Sequence, residues 1–412
     1  MTGHDQLARR LSTGDAVVVG LGAMLGAGVF AAFTPAADAA GTWLLLGLVV
    51  AAVVAYCNAT SSARLAAIYP ESGGTYVYGR RRLGDFWGYL AGWGFVVGKT
   101  ASCAAMALTV GFYVWPDQAR AVAVATVVAL TALNYFGVHK SALATRVIVG
   151  LVLVVLVVVV AGSLLGGGAE RANLAVDGEL DVRGVLESAG LLFFAFAGYA
   201  RIATLGEEVR DPSRSIPRAI PLALGITFVV YAAVALSLLA VLGADGVAAS
   251  EAPLADAVAS GDWSALEPVV RAGGAVAALG SLLALILGVS RTTFAMARDR
   301  HLPGGLDAVH PRHRVPHRAE LAVGAVVVAV VLVADVREAI GFSSFAVLVY
   351  YAIANTSALT LRRDHGSALV PTAGLIGCLV LAFALPFASA AVGLGVLVLG
   401  ALVWLLRRPL PR

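Results

Sequence analysis

The stretch Gly20-Leu-Gly-Ala-Met-Leu-Gly-Ala-Gly-Val-Phe30 lies inside an apolar segment that runs roughly from Thr13 to Phe33. Glycine is a poor helix former, and each one costs about 1 kcal/mol relative to alanine. A bilayer cannot solvate broken backbone, so a glycine cluster is tolerated only where it packs closely or lines a cavity. The stretch therefore predicts a transmembrane helix broken at Gly26-Ala27-Gly28, with N–H groups free to hold a carboxylate. A smooth small-residue face for helix packing is the alternative.

The composition is that of a helical membrane protein. Of the 412 residues, 59% are hydrophobic and 13% are charged, and the mean hydropathy is +0.88. Apolar runs of about 20 residues, the length that crosses a ~30 Å hydrocarbon core, recur along the whole chain. The fold class expected is all-α integral membrane, since the period-two alternation of a membrane barrel is absent. The net charge of +4 is spread over loops and does not indicate nucleic acid binding.

Twelve apolar segments predict about 12 transmembrane helices. Their approximate cores are 13–33, 42–67, 85–115, 119–137, 143–167, 186–206, 217–243, 268–292, 319–334, 338–360, 369–387 and 389–406. With a cytoplasmic N-terminus, 22 of the 29 Lys and Arg residues fall in inside segments and five fall outside. This bias predicts a multi-pass protein of the cytoplasmic (inner) membrane with both termini cytoplasmic. No soluble domain interrupts the pattern, so residues 1–412 are expected to form a single domain.

Cysteine and histidine give no indication of a metal site. Three cysteines (Cys57, Cys103 and Cys378) lie in apolar segments without ligand partners at metal-site spacing. The longest hydrophilic stretch, 297–320, ends with three histidines, at positions 310, 313 and 317. Two arginines lie beside them with no carboxylate or cysteine nearby, so a solvated basic loop is the favoured interpretation. We expect neither a metal nor an organic cofactor.

Segment six contains a second candidate break. It reads Leu191-Leu-Phe-Phe-Ala-Phe-Ala-Gly-Tyr-Ala-Arg201, with Gly198 at mid-membrane among aromatic residues. Segments one and six are five spans apart, and interrupted helices at matching positions of two halves indicate a transporter site. A half-helix N-terminus offers N–H groups and a positive dipole end to an anion, and unwound carbonyls can accept an ammonium. Each phenylalanine taken singly is as consistent with lipid contact or core packing. As a group around Gly198, they favour a substrate gate.

Four motifs, in order, resemble those of a bacterial amino acid permease of the amino acid–polyamine–organocation (APC) superfamily. They are Gly26-Ala-Gly-Val-Phe30; Pro70-Glu-Ser-Gly-Gly-Thr-Tyr-Val-Tyr78 with Gly84 and Gly92-Trp93; Phe193-Phe-Ala-Phe-Ala-Gly-Tyr199 with Glu207-Glu208, Asp211-Pro212, Arg214 and Pro217-Arg218; and Ala297-Arg-Asp299 with Leu302-Pro303. The resemblance covers essentially the whole chain. It implies a single permease domain of two inverted five-helix repeats (13–167 and 186–360), broken in helices 1 and 6, plus two additional helices (369–406). It also implies alternating access around a midplane site.

The resemblance also implies site residues. By motif position these are, for substrate binding, Met24, Gly26, Ala27, Gly28, Phe194, Ala197 and Gly198, and, for gating, Phe194 and Tyr199. The amides of Ala27 and Gly28 would hold the substrate carboxylate. The carbonyls of Met24, Phe194 and Ala197 would receive the α-ammonium group, and the Phe194 ring would be the aromatic gate.

One departure from the family pattern bears on the substrate. Many members carry an acid directly after the Gly-aromatic pair of helix six, where this chain has Ala200 and then Arg201. Charges at mid-membrane are costly and usually face the protein interior with a partner. An arginine there would repel a cationic side chain, so a neutral amino acid is favoured and an acidic one is the second choice. A structural ion pair of Arg201 with Glu207 or Glu208 is the alternative reading of this arginine.

A second departure bears on coupling. Some proton-coupled members carry a lysine in helix five, standing in for sodium, but this chain has Val152 near that place. Lys99, in helix three, is a candidate because buried lysines can titrate near neutral pH, and a structural lysine is the alternative. The coupling candidates are Lys99, Arg201, Glu207 and Glu208. Coupling to H+ or Na+ stays open, and hydroxyls of helix eight that could serve sodium commonly bond their own helix.

The function expected is secondary active transport of an L-amino acid, as a symporter or an antiporter. An amine, polyamine or cationic amino acid carrier or exchanger of the same superfamily is the alternative. A channel would need a selectivity filter motif, and an enzyme would need a catalytic cluster within the spans; the sequence shows neither. The partners expected are the amino acid substrate and the lipid bilayer, with no nucleic acid. The exact substrate, uniport versus exchange, and monomer versus homodimer stay open.

Overall fold

The computed structural model describes residues 11–69, 73–137, 142–175, 179–203, 205, 208–361 and 367–407. Its regular elements are helices, with one isolated β-bridge between Leu11 and Val209. The α-helices are α1 (Thr13–Met24), α2 (Ala27–Ala31), α3 (Phe33–Ala40), α4 (Leu44–Ile68), α5 (Thr75–Leu83), α6 (Asp85–Val114), α7 (Ala119–Tyr135), α8 (Ala142–Leu165), α9 (Val182–Phe196), α10 (Ala200–Ala203), α11 (Pro212–Ala249), α12 (Pro253–Ala259), α13 (Glu267–Arg298), α14 (His317–Val333), α15 (Val336–Leu359), α16 (Leu369–Ala384) and α17 (Phe387–Arg407).

Nine helical segments of the described chain are long and apolar enough to cross a membrane. Helix α16 is apolar but has 16 residues. Helices α7 and α14, with 17 residues each, occupy the places of the fourth and ninth predicted segments. The all-helical membrane class is therefore confirmed, and the count of twelve spans stays a prediction.

The first segment is interrupted close to the predicted place. Helix α1 begins with a capping box between Ser12 and Asp15, which satisfies two otherwise unpaired backbone donors. The N–H of Leu25 still bonds to a carbonyl of α1, but Gly26 leaves helical geometry with φ −95° and ψ −142°. Helix α2 begins at Ala27, so the interruption falls at Leu25 and Gly26, slightly before the centre of the predicted one.

The sixth segment is interrupted around Gly198. Helix α9 begins after Asp181, whose side chain accepts a bond from a backbone N–H, and it ends at Phe196. A 3-10 turn covers Ala197–Tyr199, and the four residues of α10 follow. Thr204, Gly206 and Glu207 lie outside the described residues, so the structure says nothing about the coupling candidate Glu207.

Helix α11 is longer than its predicted core of 217–243. It bends at Gly243, where φ is +65°, and continues to Ala249. Residues with a side chain rarely adopt positive φ, so the glycine permits this bend. The predicted end of the segment therefore coincides with a kink, and the helix extends one and a half turns beyond it.

The helix bundle has two ends, which we call the α5 side and the vestibule side. At one end, the α5 side, the Arg82 guanidinium bonds to the Thr360 side chain (2.6 Å) and carbonyl (2.7 Å) after α15. At the other end, the vestibule side, α3 ends and α15 begins, and Arg337 forms ion pairs with Asp38 and Glu187. The placement of Lys and Arg predicts that the α5 side is cytoplasmic.

Candidate functional site

The two helix interruptions pack directly against each other. A Cβ atom added at Gly198 would lie 2.3 Å from the Ala23 carbonyl oxygen and 2.8 Å from the Met24 nitrogen. A Cβ atom added at Gly28 would lie 2.7 Å from the Ala195 Cα. Neither position has room for a side chain, so glycine is required by the close approach of the two backbones.

Helix α13 closes another side of the first interruption. A Cβ atom added at Gly26 would lie 1.9 Å from Ser281 Oγ and 3.8 Å from the Ala277 carbonyl oxygen. The backbone at Gly26 therefore rests on the small side chains of α13. Three segments of the chain, the first, the sixth and the eighth, meet at this point.

Tyr231 of α11 joins the two interruptions by hydrogen bonding. Its hydroxyl lies 2.5 Å from the carbonyl oxygen of Met24 and 3.1 Å from that of Ala195. The side chain is fully buried, and buried carbonyls at helix ends need such donors. The sequence analysis missed this residue, because a single tyrosine in an apolar segment carries no local signal.

The structure brings the predicted substrate-binding residues into one buried region. The amides of Ala27 and Gly28 belong to the first turn of α2, where backbone N–H groups have no acceptor within the helix. Each of the three predicted carbonyls accepts at least one bond: Met24 from Tyr231, Ala197 from the Tyr351 hydroxyl (3.4 Å), and Phe194 from the amide of residue 197. A carbonyl has a second lone pair, so a further donor can be accommodated.

The two predicted gating rings lie in different environments. Phe194 retains 8% exposure, whereas Tyr199 has none. The Tyr199 ring stacks on Tyr351 with 5.1 Å between centroids, and Phe193 meets the same ring edge-on at 5.8 Å. Tyr199 is thus packed between segments six and ten, behind the interruption. Gating by either ring stays a prediction.

Arg201 is exposed and lies in α10, directly after the turn of the second interruption. The charges of Glu208 and Arg291 act on its guanidinium. Two of the coupling candidates, Arg201 and Glu208, are therefore near enough for their charges to interact. Arg291, which sequence analysis did not single out, adds a second positive charge from α13.

Lys99 lies apart from both interruptions. It is half-buried in α6, where its neighbour Gly98 packs on Ala346 of α15. The group that interacts with its charge is the thiol of Cys103, one turn further along α6. Within the described residues, no carboxylate forms a salt bridge with Lys99.

A cavity of about 360 Å³ opens on the vestibule side. It begins at Ala31, one turn beyond the first interruption. Its other lining residues are Thr34, Pro35, Asp38, Thr109, Phe112, Ala248, Ala249, Ser250, Glu251, Asp335, Val336 and Arg337. At its rim Arg337 pairs with Asp38 of α3 and with Glu187 of α9, the latter at 3.0 Å. One arginine of α15 thus holds together the outer ends of the two interrupted segments.

Comparison with known proteins places this site in a family. The family described as Amino acid permease matches residues 15–403. An uncharacterised transporter of Mycobacterium tuberculosis (strain ATCC 25618 / H37Rv) is 69% identical over 412 residues, covering 99% of this chain and 93% of the relative. A branched-chain amino acid permease of Bacillus subtilis (strain 168) is 24% identical, covering 98% and 92%. A vacuolar cationic amino acid transporter of Arabidopsis thaliana is 28% identical, covering 87% and 60%. The chain belongs to the amino acid permease family of the APC superfamily.

Proposed function

We propose that this permease is a secondary transporter that moves a neutral L-amino acid across the cytoplasmic membrane by alternating access. The observation that carries the proposal is the direct contact of the two helix interruptions, Gly28 on Ala195 and Gly198 on Met24. One interruption offers backbone N–H groups to a carboxylate and the other offers carbonyls to an ammonium. A zwitterion held between them would contact both interrupted segments at once.

The charges near the second interruption favour a neutral substrate side chain. The charges of Arg201 and Arg291 repel each other, and Glu208 attracts Arg201. A cationic side chain beside Arg201 would be repelled by both arginines, and the attraction of Glu208 would oppose only part of that repulsion. This argument supports a neutral amino acid over arginine, lysine or a polyamine. An acidic amino acid is the second choice.

Alternating access is proposed from the way the interrupted segments are anchored. The first half of the chain, α1 to α8, and the second half, α9 to α15, would form the two inverted repeats, with α16 and α17 outside them. The interrupted segments are tied to each other by Tyr231 and to α15 by the ion pairs of Arg337. Breaking the ion pairs at the rim would let the cavity deepen toward the contact of the two interruptions.

Uptake into proteoliposomes tests the proposal. The labelled panel contains leucine, isoleucine, valine, alanine, glutamate, arginine and putrescine, each with and without an inward proton gradient or a sodium gradient. We expect saturable uptake of at least one neutral amino acid. Phe194→Ala should reduce this uptake by about tenfold or more, whereas Phe387→Ala, whose ring is 81% exposed, should leave it within about twofold.

Two outcomes would contradict the proposal. Uptake of arginine or putrescine alone would favour the cationic alternative and would show that the charges of Arg201 and Arg291 do not select the substrate. Flux that rises with concentration without saturation would contradict a closed central site. Because the panel spans neutral, acidic and cationic compounds, it separates these cases in one experiment.

A further inference from the structure

Glu320 is a buried acid that sequence analysis left at the end of a hydrophilic loop. In the structure it lies in the first turn of α14 with 0% exposure. Neither carboxylate oxygen has a hydrogen-bond partner among the described residues. An ionised carboxylate in such a place carries a large desolvation penalty. A proton or a cation is therefore needed to neutralise it in this conformation.

The neighbouring helix supplies polar groups that also lack partners. A Cβ atom added at Gly324 would lie 2.6 Å from Thr131 Oγ1, which fixes the register of α14 against the antiparallel α7. One turn toward the α5 side, this register brings Glu320 level with Asn134. The Thr131 hydroxyl and the Asn134 Oδ1 atom are buried without hydrogen-bond partners in the described structure. A protonated carboxyl group is a donor, and an amide oxygen is the acceptor that it needs.

A row of histidines leads from the α5 side toward Glu320. His317 lies one turn before Glu320 on α14, with a buried Nδ1 atom that has no partner in the described part of the chain. The His317 ring is 5.3 Å from that of His310, which is 4.6 Å from that of His313. All three are half-buried around the Tyr135 ring, whereas the arginines between and after them, Arg312, Arg314 and Arg318, are exposed as the predicted basic loop requires. Imidazoles exchange protons readily near neutral pH.

Few charged groups face Glu320 from the elements packed against α14. Helix α13 contributes Arg291, whose charge acts on the Glu320 carboxyl group. Helix α6 contributes the Cys103 thiol to the same apolar layer, with Lys99 one turn away along α6. Helix α7 contributes Tyr135. The short turn Gly304–Asp307 carries an aspartate that is exposed. Lys140 lies outside the described residues.

Arg291 connects this acid to the transport site electrostatically. Its charge acts both on Glu320 and on Arg201, the residue that follows the second interruption by two positions. Charging or neutralising Glu320 would therefore change how strongly Arg291 repels Arg201. Protonation of Glu320 on α14 would in this way change the position of the interrupted sixth segment.

We propose that Glu320 is a proton-binding site of this transporter, filled from the α5 side through His310, His313 and His317. The imidazolium of His317 gives its proton to a carboxylate oxygen of Glu320, which becomes a neutral carboxyl group. The resulting neutral imidazole takes a proton from the imidazolium of His310, and His310 and His313 are reprotonated by hydronium ions on the α5 side. The proposal rests on the proposed function for its role in coupling, but the existence of the site does not. This proton site differs from the sequence-based coupling candidates Lys99 and Arg201. In this proposal those two residues do not exchange the coupling proton.

Carbodiimide labelling tests the site without any substrate. Dicyclohexylcarbodiimide is an apolar reagent that reacts with protonated carboxyl groups in apolar surroundings. We expect an adduct at Glu320, located by peptide mass mapping of the wild-type protein, that increases as pH is lowered. The adduct should be absent in Glu320→Gln and unchanged in the control Glu179→Gln, whose side chain lies exposed in a loop. Labelling of Glu320 that does not depend on pH, or no labelling at Glu320, would overturn the proposal.

The carbodiimide experiment also tests whether sodium, rather than a proton, is the natural occupant of the Glu320 site. Two hydroxyls of α13, the eighth predicted segment, could have served sodium. Those of Ser290 and Thr292 instead donate to carbonyls of their own helix, at 2.8 Å and 3.0 Å. The Thr293 hydroxyl is buried without a partner in the described structure. If sodium ions at constant ionic strength protect Glu320 from the carbodiimide while potassium ions do not, the site binds a cation and the proton assignment is wrong.

Coupling is tested separately in proteoliposomes. Glu320→Gln mimics the protonated acid, so we expect counterflow of substrate within about twofold of wild type but a loss of about tenfold or more in gradient-driven accumulation. Equal accumulation by wild type and Glu320→Gln would remove Glu320 from coupling. If no amino acid is transported by the wild type, the proposed function fails, whereas pH-dependent labelling of Glu320 still establishes the proton site.

Discussion

The hydroxyl of Tyr76 donates to Asp299 Oδ2 at 2.5 Å and joins two sequence motifs that lie 223 residues apart. Arg80 bonds to the same carboxylate oxygen at 2.9 Å, and His301 Nδ1 lies 2.9 Å from the tyrosine oxygen. Burial, and after it the hydrogen bond to Asp299, raises the pKa of Tyr76, so the hydroxyl keeps its proton. The signature after segment two and the signature after segment eight are therefore two halves of one structural contact on the α5 side.

Removing the Tyr76 hydroxyl should destabilise the protein. We expect Tyr76→Phe to lower the apparent Tm in detergent by an amount equivalent to about 1–2 kcal/mol, because it removes a charge-assisted hydrogen bond. The salt bridge of Asp299 with Arg80 limits the loss. Thermal unfolding by intrinsic fluorescence is the measurement, with Tyr56→Phe, an exposed tyrosine, as control. An unchanged Tm in Tyr76→Phe would show that the motif contact is not stabilising.

The same contact predicts a pH dependence of stability. Burial lowers the pKa of His301 below its ordinary value of 6.5, and this effect outweighs the opposing charge of Asp299. A depressed pKa in the folded state means that the unfolded chain binds the proton more readily. The stabilising contribution of His301 is therefore complete above about pH 6.5 and is lost as the pH falls below that value.

We expect the difference in apparent Tm between wild type and His301→Gln to be largest near pH 8 and to shrink steadily below pH 6.5. The measurement is a series of melting curves at constant ionic strength. Taking the difference between two variants removes the contribution of other titrating groups that they share. A difference that grows as the pH falls would mean that the imidazolium, not the neutral ring, is favoured in the folded state.

The elements that determine the site were predictable where the chemistry is local. Glycines at 26 and 198 indicated the two interruptions, because glycine in a membrane helix needs a local reason. The structure supplies that reason as close backbone contact. The interruption in segment one still falls slightly earlier than predicted. The last backbone N–H that bonds to a carbonyl of α1 is that of Leu25, and the next helix begins at Ala27.

The rest of the site depends on contacts between distant parts of the chain. Tyr231 is 207 residues from the Met24 carbonyl that it reaches, and no local pattern links them. Glu320 looked like a loop residue because histidines and arginines precede it. Its burial comes from the packing of α14 against α13 and against α7 and α6, which are distant in sequence. Both residues are single polar groups in apolar segments, and that is the one signal by which sequence alone could have selected them.

The hydroxyl of Tyr231 should be important to both stability and transport. In Tyr231→Phe the carbonyls of Met24 and Ala195 lose their shared donor, and a buried unsatisfied acceptor costs about 1–3 kcal/mol. We expect a lower apparent Tm and a several-fold lower rate of uptake. Tyr113→Phe removes a longer bond, 3.2 Å, to the Phe30 carbonyl and should have the smaller effect. Equal effects of the two variants would contradict a special role for Tyr231.

The ion pairs of Arg337 should hold the vestibule side closed. We expect Arg337→Gln and Asp38→Asn each to increase, several-fold, the rate at which a maleimide labels a cysteine placed at Ala248 in the cavity wall. The three native cysteines are buried, so background labelling should be low. Glu251→Gln, a cavity residue outside these pairs, is the matched control. Unchanged labelling in both test variants would show that the pairs do not restrict access.

The contact between the first interruption and α13 permits a rescue experiment. In Gly26→Ala the new methyl group would overlap Ser281 Oγ at 1.9 Å, so we expect uptake to fall by about tenfold or more. Ser281→Gly removes both atoms of the clash and leaves the Ala277 carbonyl at 3.8 Å. The double variant Gly26→Ala/Ser281→Gly should therefore recover much of the uptake, whereas Gly225→Ala, whose methyl group meets open space, should behave like wild type. If the double variant stays as inactive as Gly26→Ala, the glycine is needed for its backbone freedom and not for the space that it leaves beside α13.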